Sequence, residues 1–380
     1  MSEIVPFELA VDDADLEDLR SRLRLTRWPD KETAEGWSQG VPLEYLQELC
    51  RYWAADYDWR RVERRLNALG QFATVIDDVV IHFLHVRSPH PGAMPLIVTH
   101  GWPGSVVEFL EVIGPLTDPP AHGGAAEDAF DVVCPSLPGY GFSGKPAQVG
   151  WGIARIAAAW AELMARLGYE RYGAQGGDWG AMVTTKLAEL DHEHIAGVHV
   201  NMPLVSPDDI SAEGPPTEAE HAALASFARY RRQGSGYAKE QSTRPQTIGY
   251  ALADSPVAQC AWIVEKFWEW SDVEGDPDAA FGRDRLLDNV MLYWLPGAGA
   301  SSARLYWESF YDRELVAPVE VPSGVSRFPR EIFPASRRWV QRRFRDLRHY
   351  NELPRGGHFA AFEEPGLFVD EVRRFFRHVR

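Results

Sequence analysis

The segment 173–181, Gly-Ala-Gln-Gly-Gly-Asp-Trp-Gly-Ala, holds one carboxylate, Asp178, in a turn crowded with glycine where a strand-like run meets a helix-like one. Small residues at Gly176 and Gly180 permit a tight, strained turn that lifts the side chain of residue 178 above a sheet. Hydrolases with such a turn often carry serine there. A carboxylate changes the chemistry, because attack on a saturated carbon gives an ester whose carbonyl belongs to the protein and can be hydrolysed afterwards. Serine would leave an inert ether. Asp178 therefore points to sp³ electrophiles, epoxides or alkyl halides, rather than to esters and amides. An Asp at such a junction also commonly caps the following helix, and the turn alone does not separate the two roles.

Two distant segments favour the chemical role. Thr-His-Gly-Trp-Pro-Gly-Ser at 99–105 lies between a strand and a helix, where backbone N–H groups are free to bind developing negative charge. The backbones of Trp102 and Trp179 are the candidate oxyanion hole, and Trp102, Pro103 and Trp179 the candidate substrate-binding residues. Near the C-terminus, Gly356 and Gly357 would let a loop bring the imidazole of His358 over the turn, as a base. Between them in the chain, Glu331 follows a strand-like run and could hold the histidine tautomer, with Asp346 as the fallback. The chain order nucleophile, acid, histidine is that of α/β-hydrolases.

The elements that must position these groups are legible as periodicity. Leu16, Leu19 and Leu23 repeat on one helical face behind Asp12 or Asp13, and Leu46, Leu49, Cys50 and Trp53 do so again, which predicts a helical region over 1–70. Strand-like runs then begin at Phe72, Val79, Leu96 and Phe130, with helical stretches at 105–116 and 153–167. The alternation predicts an α/β fold: a mostly parallel central sheet with helices on both faces and ligand sites at the carboxyl ends of the strands. The core's first part spans 71–203. Over 204–300 the sequence turns helical and aromatic without a strand, an inserted lid, and strands return from Val319 and Leu347 in a second core part, 301–380.

Composition narrows the classes. The 380 residues are 45% hydrophobic and 25% charged, an ordinary globular mix. A net charge of −16 disfavours nucleic acid or an anionic membrane as partner, and the basic cluster Arg337, Arg338, Arg342, Arg343 and Arg345 fits a solvated helix face. Three scattered cysteines, Cys50, Cys134 and Cys260, suit a reducing cytosol rather than a disulfide framework or a zinc site. No run approaches the ~18 apolar residues of a membrane span, and the N-terminus lacks a leader pattern. The excess of Arg over Lys hints at a bacterial source. The glycines at 139–144 match a dinucleotide fingerprint, but Pro146 follows where a helix would have to open, so the loop belongs to the substrate side. His192 and His194 suit a solvated helix end. The expectation is no cofactor and no metal, and, on base rates, a homodimer.

The stretches LRLTRWPD, HGWPGSVVEF, PSLPGYGFS, GGDWGA, ALADSPVAQCAWIVEKF and RGGHFAAFEEP run through nearly the whole chain, and with them it resembles the microsomal-type epoxide hydrolases of the α/β-hydrolase fold. The resemblance implies a nucleophile at Asp178, a base at His358 and an acid at Glu331. It also implies two lid tyrosines that polarise the epoxide oxygen, placed by the contexts GSGYAKEQ and SSARLYWES at Tyr237 and Tyr306; Tyr311 is a nearby decoy. A phenol with pKa near ~10 donates without being ionised at neutral pH, which suits an alkoxide leaving group. The implied reaction turns a small hydrophobic epoxide and water into a vicinal diol, in detoxification or natural-product biosynthesis. Mammalian members carry an N-terminal membrane anchor, a feature not expected here. Two rivals remain: a haloalkane dehalogenase, which shares the Asp and often a Trp beside it but needs no proton donor, and a non-catalytic binding protein on the same fold.

Overall fold

A computed structural model describes residues 3–311 and 316–380. Strands β1 (Val5–Pro6), β2 (Gln71–Ile76), β3 (Val79–Val86), β4 (Met94–Thr99), β5 (Phe130–Pro135), β6 (Tyr172–Gly176), β7 (Ile195–Val200), β8 (Val319–Arg327) and β9 (Phe344–Glu352) form one nine-stranded sheet in the order β1-β2-β3-β5-β4-β6-β7-β8-β9. The pairs from β1 to β5 run antiparallel, and every pair from β5 through β9 runs parallel. β6 and β7 are buried throughout, as a strand covered on both faces must be. The helices Ile153–Arg166 and Trp179–Leu190 pack together beside the sheet, and Leu110–Thr117 packs on the terminal helix Pro365–Phe376. The mostly parallel, helix-covered sheet expected from the alternation is what forms. Among the described residues no helix is long and apolar enough to cross a membrane.

The N-terminal region is helical over Asp13–Arg24, Leu43–Ala55 and Trp59–Ala68, burying the leucines the periodicity marked. It differs from a purely helical preface in two ways. Its first residues add strand β1 to the edge of the sheet. Its tyrosines reach the lid, where Tyr45, Tyr52 and Tyr57 bond to Asp278, Asp284 and Asp288 at 2.6, 2.8 and 2.8 Å.

The lid is a run of helices from Pro207–Ala212 to Gly299–Ser309. A boundary at residue 300 cuts through its last helix. Leu295 to Ala298 make only a short turn between the helix Arg283–Trp294 and that last helix, which packs on Pro245–Asp254. The arginine cluster also departs from expectation. Arg343 is buried and its guanidinium donates to the carbonyls of Leu204 at 2.6 Å and Ala317 at 3.1 Å, while Arg338 pairs with the buried Glu220. Arg345 lies on β9, outside the helix Arg337–Arg343. Clamping the start of the lid to the core, rather than solvation, accounts for Arg338 and Arg343.

Candidate active site

The turn after β6 is forced by contact. A Cβ on Gly180 would lie 1.9 Å from the carbonyl oxygen of Thr99, and one on Gly176 would lie 2.1 Å from that of Gly180, so only glycine fits at either place. Asp178 between them takes φ 50° and ψ −130°, a region costly to a residue with a Cβ and held only when the surroundings over-determine it. Its carboxylate does not cap the helix Trp179–Leu190. Instead Oδ1 accepts the backbone N–H of Trp102 at 2.8 Å, and Oδ2 lies 3.3 Å from Nε2 of His358.

His358 reaches this point from the other end of the chain. Its Nδ1 is 2.7 Å from Oε1 of Glu331, and both residues are buried. A proton on Nδ1 shared with Glu331 leaves Nε2 to face Asp178. The loop is pinned to the lid: the His358 N–H donates to the Trp270 carbonyl at 2.9 Å and the Gly356 N–H to Asp272 at 2.9 Å. Burial pushes the imidazole pKa down, but the carboxylates of Glu331 and Asp178 outweigh it and hold the value well above the usual histidine range.

Above the carboxylate stands a box of rings. Trp102 stacks on Tyr237 with centroids 4.9 Å apart and an interplanar angle of 8°, Trp179 meets Tyr306 edge-on at 4.9 Å, and the two tyrosines are 5.8 Å apart. Burial raises both phenols well above their ordinary pKa, so they stand as neutral donors. Trp270 closes the box against Tyr237 at 5.2 Å and His358 at 5.1 Å. Below, a cavity with about 20 Å³ of room, enough for one water, touches Asp178, His358 and Glu108. Burial pushes the Glu108 carboxyl up to about 8.

The fold thus brings together Asp178, His358, Glu331, Tyr237, Tyr306, Trp102 and Trp179. Trp179 is the first residue of its helix, where a backbone N–H has no partner within the helix. Pro103 is buried beside Trp102 and its carbonyl accepts from the Asn289 amide at 2.7 Å, which ties the loop to the lid. Asp346 is elsewhere, paired with Arg348, and Tyr311 is exposed near Lys239. His194 is exposed and bonds Asp191. The sequence reading missed Glu108, Trp270 and Tyr230, whose hydroxyl is 3.0 Å from that of Tyr237. Glu108 carries a local signal only as the capping-box partner of Ser105; the others are single aromatics in an aromatic lid.

A strained aspartate above the end of a central parallel strand, met by an imidazole supplied from beyond the lid, is the organisation of the α/β-hydrolase fold, and a model of that fold matches residues 94–253. A second family model, the epoxide hydrolase N terminus, matches residues 4–109. A protein of Stigmatella aurantiaca assigned as an epoxide hydrolase is 55% identical over 99% of this chain and 86% of its own length, and epoxide hydrolase 1 of Oryctolagus cuniculus is 37% identical over 98% and 88%. The crystal structure of juvenile hormone epoxide hydrolase from the silkworm Bombyx mori superposes with a TM-score of 0.91 at 31% identity, covering 100% of this chain and 95% of that one. The chain is therefore an enzyme of the epoxide hydrolase family.

Proposed function

We propose that this enzyme converts small hydrophobic epoxides to vicinal diols through a covalent ester on Asp178. The observation that carries the reading is the placement of one carboxylate: Asp178 lies between the Trp102 N–H and His358 Nε2, below two neutral phenols. In the first step the carboxylate attacks a ring carbon, the C–O bond breaks, and Tyr237 and Tyr306 hold and protonate the departing oxygen. In the second, His358, oriented by Glu331, takes a proton from water, and the resulting hydroxide adds to the carbonyl carbon of Asp178. Charge that develops on the carbonyl oxygen falls to the backbone N–H groups of Trp102 and Trp179. The cavity beside Asp178, His358 and Glu108 suits that water. The ring-lined box favours apolar substrates. Three buried free cysteines suit a cytosolic setting, and a homodimer is the assembly to test first.

A single turnover in heavy-oxygen water should leave the label in Asp178, read by peptide mass, with unlabelled diol. Label in the first diol would rule out the ester. Replacing both Tyr237 and Tyr306 with Phe should abolish diol formation; a dehalogenase would keep releasing halide. Tight binding of an epoxide panel without turnover would support the non-catalytic reading instead.

A further inference from the structure

Ring opening poses a problem that two buried phenols do not solve by themselves. Once Tyr237 gives its proton to the alkoxide, a phenolate is left in a dry ring-lined site, and it must be reprotonated before the next turnover. The hydroxyl of Tyr237 has a neighbour outside the box, the Tyr230 hydroxyl at 3.0 Å. Resting on the ester mechanism above, we propose that Tyr230 is a positioning residue for ring opening, orienting the Tyr237 hydroxyl and passing it a proton from an open groove beyond the lid.

The backbone is built to make this contact. In an α-helix, residues seven apart share a face but lie about 10.5 Å apart along the axis. Here the helix Glu218–Arg229 widens into a π turn over Tyr230–Gly234, and a new helix, Gly236–Thr243, then carries Tyr237. The turn brings the two hydroxyls together, and π turns are rare enough in helices that one at a site calls for a reason. Gly234 leaves space for the ring: a Cβ there would sit 3.1 Å from Tyr230 Cδ2 and 2.3 Å from the Glu269 carboxylate.

Tyr230 also borders a groove of about 860 Å³ shared with Arg229, Gln233, Glu269 and Trp270, so its side chain lies between the box and a surface that water can reach. The pair is asymmetric. Tyr237 is enclosed in the box whereas Tyr230 borders the groove, and burial raises both phenols above their ordinary pKa, with the hydrogen bond to Tyr237 opposing the rise at Tyr230. Beneath Tyr237, the Lys266 ammonium lies 4.7 Å from the ring centroid and is itself paired with Glu265 at 2.7 Å and Glu269 at 2.8 Å, which fixes the face of the ring it covers. The protons balance over a cycle. The Tyr237 proton goes to the epoxide oxygen, the Tyr230 proton to Tyr237, and a groove water proton to Tyr230. In the second step His358 returns the proton it took from water to the leaving alcohol oxygen, and the Asp178 carboxylic acid so formed releases one proton to solvent, replacing the one drawn in.

The test is Tyr230→Phe, with ester formation followed by quenched-flow mass spectrometry at excess enzyme, on a simple alkyl epoxide and on one bearing an electron-withdrawing chloromethyl group. We expect ester formation on the alkyl epoxide to slow by at least roughly tenfold. The loss should shrink to within about twofold on the chloromethyl epoxide, whose alkoxide is less basic and asks less of its donor. Ester hydrolysis should be unchanged. Equal losses on both substrates would mark Tyr230 as packing only, and wild-type rates on both would remove it from the mechanism. If wild type itself forms no aspartyl ester, the function proposed above fails instead, so the two failures are distinct.

Discussion

At the scale of single residues, the proposed ester mechanism would have the electrostatics of His358 divide the labour between two half-reactions. In the free enzyme Glu331 and Asp178 both raise its pKa. Esterification removes the negative charge of Asp178, so the imidazole pKa falls when a base is needed. Protonated His358 cannot activate water. Ester hydrolysis should therefore slow as pH falls through the pKa of the esterified enzyme, and the ester should accumulate at acid pH. Glu331→Gln removes the remaining carboxylate charge, which lowers that pKa and moves the acid limb to lower pH. It also loosens the tautomer, and the hydrolysis rate should drop roughly 10²- to 10⁴-fold. Stopped-flow traces of ester formation and decay across pH check both; an acid limb that stays in place in the variant would remove Glu331 from the role.

At the scale of elements, the site depends on a few glycines that let backbone and carboxylate approach. A Cβ on Gly101 would lie 2.1 Å from Oδ1 of Asp178, where the Trp102 N–H now points. Gly101→Ala should displace the carboxylate and suppress ester formation by at least about 100-fold while costing about 1–3 kcal/mol in stability, as overpacking usually does. Intact-mass detection of the ester, alongside urea denaturation, separates the two effects. Gly180→Ala meets main chain, the Thr99 carbonyl at 1.9 Å, which cannot swing away as a side chain can. That variant should lose stability more heavily, and a soluble, fully active Gly180→Ala enzyme would contradict the geometry of the turn.

At the scale of the molecule, the N-terminal region braces the lid. Asp288 on the lid helix Arg283–Trp294 is buried, accepts from Tyr57 at 2.8 Å, and meets both oxygens with Arg61 at 2.7 Å. Burial raises its pKa, with Arg61 opposing the shift. The adjacent Asn289 is bonded to Ser105 and to Pro103, so this helix also fixes the loop that carries the Trp102 N–H. Arg61→Ala leaves a buried carboxylate with a weaker partner set. Since Arg61 is itself partly exposed, a cost of about 1–3 kcal/mol is expected, with a lower thermal midpoint and a raised KM rather than a lost ester. An unchanged midpoint would show that the brace contributes nothing to stability.

What the sequence determined by itself was local. Glycine spacing at 176 and 180 announced the turn, periodicity separated strands from helices, and Asp in place of Ser pointed to an sp³ electrophile, the reading proposed above. These are decided within a few residues by sterics and by bond chemistry, so they survive without a fold. The partners of Asp178 came from segments 76 and 180 residues away; flanking glycines and chain order marked His358 and Glu331, and only motif resemblance marked the two tyrosines. Only the tertiary structure decided that the carboxylate turns from its own helix, that Arg343 is buried, that a helix runs from Gly299 to Ser309, and that Tyr230 touches Tyr237. Each of these depends on which distant surface covers a side chain, and burial and long-range contact are properties of the packed chain that no local spacing encodes.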